Sequence, residues 1–571
     1  MKKILLSMIA LLLPLTNFAQ ASQEIGLDER INNWFEPFAN WWASVVLYAI
    51  PITDDIAVPI VLILLIGGAT FFTIRFSFVN LRHFGTSINV IRGKYDEFDH
   101  HEPINPPGKE EVNTVNTTEE GDIVDTIKVE GKDGEVSHFQ ALCAGLSGTI
   151  GLGNIAGVAV AIAVGGPGAT FWIIIGGLLG MSAKFVECTL GVTYRDIEPD
   201  GTVHGGPMYY MKKGFKERFD QGKIGNVLGV IFAVFCVGAS FGGGNAFQSN
   251  QVAAQVISLF DLEGGAVGVI IGCVLAVLVG IVIIGGIKRI ASWAEKIVPF
   301  MAVVYVAAAL FIIFAHYELI DNAFSIILSN AFSPGALLGG FVGVMIVGFQ
   351  RAAFSNEAGA GTSPIAHAAV KTKYPASEGF VAMIAPFIDT VIVCTMTALV
   401  IVFFNMSEAG NQAFFKYTGE PSGNVTLTQS AAGMSEGAEI GGVTLTSVAF
   451  ESGIPHFGLI LTIAVILFAF STMISWSYYG IQSWKFLFGK GKVSDMTYKI
   501  LFLFFIIAGA GATLDAVITF SDAMILALVF PNMIGILFLF PVVRTEMKKY
   551  LSAIKIGKAK KKEREQEAAE K

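Results

Sequence analysis

The sequence predicts an all-α integral membrane protein of about eleven transmembrane helices, one leading helix followed by two units of five that enter the membrane from opposite sides. Three observations carry this prediction. Of 571 residues, 53% are hydrophobic and 15% charged, with a mean hydropathy of +0.63, whereas an ordinary soluble protein is about 25% charged. Apolar runs of spanning length recur from about residue 57 to residue 543. Two glycine-rich interruptions, GTIGLGNIAGV at 148–158 and FSNEAGAGTSP at 354–364, fall in the second and seventh runs.

In chain order, Lys2 and Lys3, an apolar run from Ile4 to Leu15 and Ala19-Gln20-Ala21 predict a cleaved signal peptide over 1–21. An outer segment at 22–56 follows, then a leading span near 57–75 with its inner flank to residue 92. Residues 93–137 hold 13 acidic and 4 basic residues and read as a solvated cytoplasmic insert with one small hairpin at TIKVEGKDGEVSHF. The first unit, 138–316, has spans near 139–164, 168–192, 226–259, 266–286 and 297–316. The second, 317–543, has spans near 335–369, 378–405, 456–484, 497–515 and 520–543, with an outer loop at 406–455. A basic tail fills 544–571.

Starting outside and crossing eleven times puts the C-terminus in the cytoplasm, and the basic residues agree. Of 38 Lys and Arg, Lys2 and Lys3 belong to the signal, and only Arg30 and Lys416 fall in outer segments. The expectation is a multi-pass protein of a bacterial-type cytoplasmic (inner) membrane. Topological anchoring accounts for the tail without a nucleic-acid partner. The five cysteines lie in apolar spans with no metal-ligand spacing and read as small buried hydrophobes.

The first interruption resembles a dinucleotide-binding loop, yet it has no preceding strand and no acidic residue about 20 positions on. Between Glu135 and Lys184 lie 48 residues without Asp, Glu, Lys or Arg. Within lipid, an unwound stretch is tolerated only where it lines a cavity, since each unsatisfied backbone group costs several kcal/mol. Freed N–H groups can then hold an anion and freed carbonyls a cation. Two such breaks, five spans apart, predict an inverted repeat with a central site between them. The polar residues at the breaks, Thr149, Ser355 and Asn356, together with Gly359, are candidate substrate contacts. Gln248 in the fourth span and Ser471, Thr472, Ser475 and Trp476 in the ninth are polar residues in apolar runs. Asp389 is a carboxylate deep in the eighth span, expected to face the interior as a coupling group or a structural acid. Lys184 and Glu187, three apart, are expected to pair locally.

GLGNIAGVAVAIAVGGPGATFW, GGPMYYMKKG, GGIKRIASWAEKIVPFMAVVY, SNEAGAGTSP and IDTVIVCTMTALV resemble, in this order, the alanine or glycine:cation symporter family over roughly residues 57–543. The resemblance implies a LeuT-type 5+5 fold with one additional leading helix, and uptake of small neutral amino acids coupled to a monovalent cation, usually sodium. By position it implies Gly153, Asn154, Gln248, Thr472 and Trp476 around the substrate. By analogy of fold it implies Gly148, Gly151, Ser471 and Ser475 for the cation. Many members carry a hydroxyl residue where this chain has Leu152, a departure that bears on preference among small amino acids. H-E-x-x-H and paired catalytic Asp motifs are missing from the sequence. The expectation is therefore a transporter, not an enzyme, with no cofactor beyond co-transported Na+.

Overall fold

The computed structural model of the protein describes residues 27–53, 56–96, 135–199, 201–284, 286–333, 340–406, 414–417, 419 and 423–569. The expected signal peptide, most of the acidic insert with its expected hairpin, and part of the 406–455 loop lie outside the described residues.

The chain opens with α1 (Leu27–Val46) and a two-stranded hairpin, β1 (Ala49–Thr53) and β2 (Ile56–Pro59), leading into α2 (Ile60–Arg75). The first interrupted span is α3 (His138–Thr149) and α4 (Ala156–Gly165), followed by α5 (Ala169–Thr193), α6 (Pro207–Phe219) and α7 (Gly222–Phe241). A π-turn at Gly242–Ala246 joins α7 to α8 (Phe247–Phe260), and α9 (Val267–Ile283), α10 (Gly286–Ala315) and α11 (Ile320–Ala331) follow. The second interrupted span is α12 (Phe341–Asn356) and α13 (Ser363–His367). Then come α14 (Pro375–Ala382), a π-helical stretch at Phe387–Cys394, α15 (Thr395–Phe404), α16 (Gly442–Gly453), α17 (Gly458–Phe488), α18 (Lys492–Gly511), α19 (Leu514–Ala527) and α20 (Val529–Ala569).

Among the described residues, seven helices are long and apolar enough to cross a membrane, and α2, α4 and α9 are shorter apolar helices. The two interrupted spans divide into short pieces at their glycines. At the second break the backbone itself demands glycine: Gly359 and Gly361 have φ of 85° and 83°, where a Cβ is strained. The first break uses its glycines for close approach. A Cβ on Gly148 would lie 2.7 Å from the Tyr479 hydroxyl, and one on Gly153 would lie 2.9 Å from the Phe354 ring.

α5 packs against α2, both halves of the second broken helix and α14, which buries its stretch from Gly180 to Val192. Three stretches gain detail. Within the 22–56 segment, α1 forms because Asn32, Phe35, Ala39, Ala43 and Val46, at helical spacing, are buried against the bundle. The expected 520–543 span straddles the junction of α19 and α20, where Pro531 has no N–H for Ala527 and its ring crowds that carbonyl. The basic tail continues α20, with Tyr550 buried against the Tyr374 and Phe380 rings.

Candidate functional site

The first break presents its backbone to α17. The Gly151 N–H turns to Thr149 O and to Asn154 Oδ1, and the Leu152 N–H donates to Gln248 Oε1 at 3.0 Å. The carbonyls of Ser147 and Gly148, four residues earlier, are thereby left without their helical donors. Facing them on α17 are Thr472, whose Oγ1 a Cβ on Gly151 would strike, and Tyr479, against Gly148. Ser147 Oγ donates to Ser471 O at 2.8 Å and holds α3 to α17. The Thr472, Ser475 and Tyr479 hydroxyls are buried and have no hydrogen-bond partner, and the buried Thr149 hydroxyl lies beside the Asp389 carboxylate. Native interiors leave few polar groups unpaired, so these hydroxyls are the candidate contacts for a ligand's polar atoms.

Asn154 ties the breaks together. Its Nδ2 donates to Ser355 Oγ at 3.0 Å and to Asp389 O at 2.9 Å. Ser355 shares a hydrogen bond with Thr390 at 3.0 Å, and Thr390 donates to Asp389 Oδ1 at 2.6 Å. The π-helical stretch that carries Asp389 thus joins both unwound segments. The π-turn at Gly242–Ala246 does comparable work, since Gln248 Nε2 donates to Gly243 O at 2.9 Å and Trp476 packs so closely on Gly244 that a Cβ there would collide with it.

Trp476 Nε1 donates to Glu357 Oε1 at 3.0 Å, and Thr362 donates to the other Glu357 oxygen. Glu357 caps α12 in the left-handed conformation, at φ 55°. Lys184 donates to Ser363, and Glu187 accepts from the Gly359 N–H. The expected local pair between Lys184 and Glu187 is therefore not a direct ion pair. Both side chains turn to the second break, Lys184 to the Ser363 hydroxyl that opens α13 and Glu187 to the Gly359 N–H.

At one end of the molecule the two broken helices are strapped together. Val136 and Val370 form a parallel bridge, Lys371 N donates to Val136 O at 2.8 Å, and Glu135 N donates to Ala369 O at 2.7 Å. Beneath the strap, buried Glu378 bonds His138 at the start of α3 and His367, at 2.5 Å, at the end of α13. Because α3 starts where α13 ends, the broken helices run antiparallel. A cavity of about 450 Å³ opens near this end, lined among others by Glu135, Ser477, Tyr478, Gln482, Lys485 and Asp495. It reaches α17 immediately after Trp476.

The structure brings together Gly148, Thr149, Gly151, Gly153, Asn154, Gln248, Ser355, Thr472, Ser475, Trp476 and Asp389. Two candidates stand apart from the open cluster. Gly359 faces Leu65 and Met533, and its carbonyl accepts from Asn532 at 2.8 Å. Ser471 Oγ is bonded back to Phe468 O at 2.9 Å. Asn356 lies between them in character, donating to Thr390 at 3.1 Å while accepting from Ala358 N. Sequence reasoning assigned no role to Tyr479 or Glu357; a carboxylate inside a glycine-rich interruption was the available signal for the latter. The five cysteines are free.

Unwound helices that turn backbone and side-chain polar groups toward one another inside an apolar bundle define a membrane transport protein. The model of the sodium:alanine symporter family matches residues 112–565, and the chain belongs to this family. Sodium/alanine symporter AgcS of Methanococcus maripaludis is 37% identical over 86% of this chain and 94% of its own. In Bacillus subtilis, the probable sodium/glutamine symporter GlnT is 34% identical over 74% of this chain and 80% of its own, and the putative sodium/proton-dependent alanine carrier protein YrbD is 34% identical over 73% and 81%. The protein is a multi-pass membrane symporter of the amino-acid class and not an enzyme.

Proposed function

We propose that the protein carries a small neutral amino acid such as alanine or glycine inward together with Na+, by alternating access around the two breaks of a LeuT-type 5+5 inverted repeat. The observation that carries this reading is the set of buried, unpartnered oxygens where α3 ends against α17. Oxygen donors in a flexible cage suit a hard monovalent cation. In this reading the Ser147 and Gly148 carbonyls with Ser475 Oγ hold the cation. Ser471, bonded back to its own helix, joins only if its hydroxyl rotates.

The amino acid's carboxylate meets N–H groups about Gly153, and its ammonium meets Thr472 Oγ1 and the remaining lone pair of Gln248. Trp476, fixed from two sides, limits the side chain to a small one. A cation bridging α3 to α17 favours the conformation that binds substrate, and this differential stabilisation is the coupling. The 450 Å³ cavity supports access from the strapped end, proposed as cytoplasmic from the distribution of Lys and Arg.

The test is uptake of labelled alanine and glycine into proteoliposomes with and without an inward Na+ gradient. Gradient-driven accumulation is expected, and uptake indifferent to Na+ overturns the coupling.

A further inference from the structure

The helix α1 divides its surface into three stripes. At about 100° per residue, Asn32, Phe35, Ala39, Ala43 and Val46 cluster in one direction, and these are the residues buried on the bundle. Roughly 120° away stand Trp34, Phe38, Trp41 and Val45, which are 46–65% exposed, with Tyr48 in line just beyond the helix. The third direction holds Glu29, Asn33, Glu36, Asn40 and Ser44, all polar. A helix at the edge of a water-soluble protein has two environments to satisfy. This one is built for three.

The apolar stripe is continuous with the surface that the spans turn to lipid. Trp42 packs edge-on against Phe235 of α7 at 5.5 Å, next to exposed Ile231 and Val234, and Phe38 packs on Phe520 of α19 at 5.9 Å. The Asn32 carboxamide accepts from the backbone N–H and hydroxyl of Thr513 at 3.1 and 2.7 Å, which fixes the rotation of α1 about its own axis. Core contacts thus decide which way the aromatic stripe points. Indole and phenol rings beside a polar stripe are the composition that settles at the headgroup boundary of a bilayer.

We infer that α1 is an interfacial helix whose Trp34, Phe38, Trp41 and Val45 face lies in the headgroup–acyl boundary, while its Asn33, Asn40 and Ser44 face stays in water. Its partner is the bilayer itself rather than a second protein. The acidic residues Glu29 and Glu36 on the water face leave aromatic burial, not attraction to anionic lipid, as the binding force. The anchor also has a consequence inside the bundle. α1 covers Phe520, whose ring lies against Gly242 of the π-turn beside the central cluster, so the lipid-held helix backs one wall of that cluster.

The test uses the full chain in proteoliposomes of zwitterionic lipid, with nitroxides at Phe38→Cys, Trp41→Cys and Val45→Cys and, separately, at Asn33→Cys, Asn40→Cys and Ser44→Cys. Power saturation should give the first set greater access to oxygen than to a water-soluble nickel chelate, and the second set the reverse. Val45→Cys retains all the aromatic rings and reads the lipid face should an aromatic variant misfold. Equal access of both sets to the chelate overturns the inference. Spin–spin broadening confined to the first set also overturns it, since a second copy would then cover the stripe.

Discussion

A single methyl group separates the two kinds of glycine in GTIGLGNIAGV. A Cβ on Gly151 would enter the space of Thr472 Oγ1 and approach Gln248 Oε1 to 3.2 Å, whereas one on Gly157 meets nothing within 4 Å. Gly157→Ala, inside α4, should keep transport and gain up to about 1 kcal/mol of helix stability. Gly151→Ala should abolish uptake while the protein still reaches the membrane, a contrast read by labelled-alanine uptake beside a thermal-unfolding scan in detergent. Glu357 invites a similar comparison. Glu357→Gln keeps an acceptor for the Trp476 indole, but Glu357→Ala removes it, and losing a buried charged acceptor costs about 1.5–3 kcal/mol. The alanine variant should raise the KM for alanine and relax the size limit, admitting larger amino acids as competitors. His204, outside the spans, is buried with its imidazole 2.8 Å from Gln482 Oε1, and that burial holds its pKa below the ordinary 6.5. The unfolded chain then binds the proton first, so the His204 contribution to stability is intact above pH 6.5 and is lost as pH falls below it. His204→Gln should flatten that acid slope in a pH series of unfolding temperatures.

At the scale of the element, interruptions are more legible in sequence than the direction in which their residues face. Asn154, Gln248, Thr472 and Trp476 stand out because polarity inside an apolar run is costly unless something uses it. Gly359 belongs to an equally visible motif, yet it faces α2 and α20, because a glycine's spacing does not say which side of an unwound turn it presents. α1 escapes a hydropathy reading for a related reason: a third of its circumference is polar, so its average is unremarkable although its stripes are sharp. The π-helical stretch at Phe387–Cys394 has no sequence signature either, and it is what carries the Asp389 carbonyl to Asn154. The strap of Glu378, His138 and His367 arises from three distant stretches and is invisible until the broken helices are seen to be antiparallel. Glu378→Ala leaves both imidazoles without their carboxylate and should let α3 part from α13. A cysteine placed at Ser147 should then react faster with a water-soluble maleimide than the same cysteine beside an intact Glu378, and an unchanged rate would show that the main-chain bridge at Val136 and Val370 suffices.

Across the whole molecule, coupling has a magnitude that the site composition limits. A neutral zwitterion moving with one Na+ carries one net charge, and an inside-negative potential of about 100 mV contributes about 2.3 kcal/mol for that charge. At about 1.36 kcal/mol per tenfold, this sustains accumulation of roughly fiftyfold with no Na+ concentration gradient. A second cation would square the factor, to roughly 2,500-fold. Among the open oxygens near the breaks, those of Thr472, Ser475 and Tyr479 line α17 and one belongs to the Asp389 carboxylate, so the two stoichiometries correspond to different occupants beside Asp389. If Asp389 holds a cation during transport, Asp389→Asn should lower the limiting accumulation from the higher factor to the lower one while uptake continues. If Asp389 is a structural acid, the limit should stay where it was and only the rate should fall. Clamping proteoliposomes at about 100 mV with a potassium diffusion potential, at equal Na+ on both sides, and measuring internal alanine at equilibrium distinguishes the two. The quantity read is a ratio of concentrations, which is insensitive to how much protein is correctly inserted.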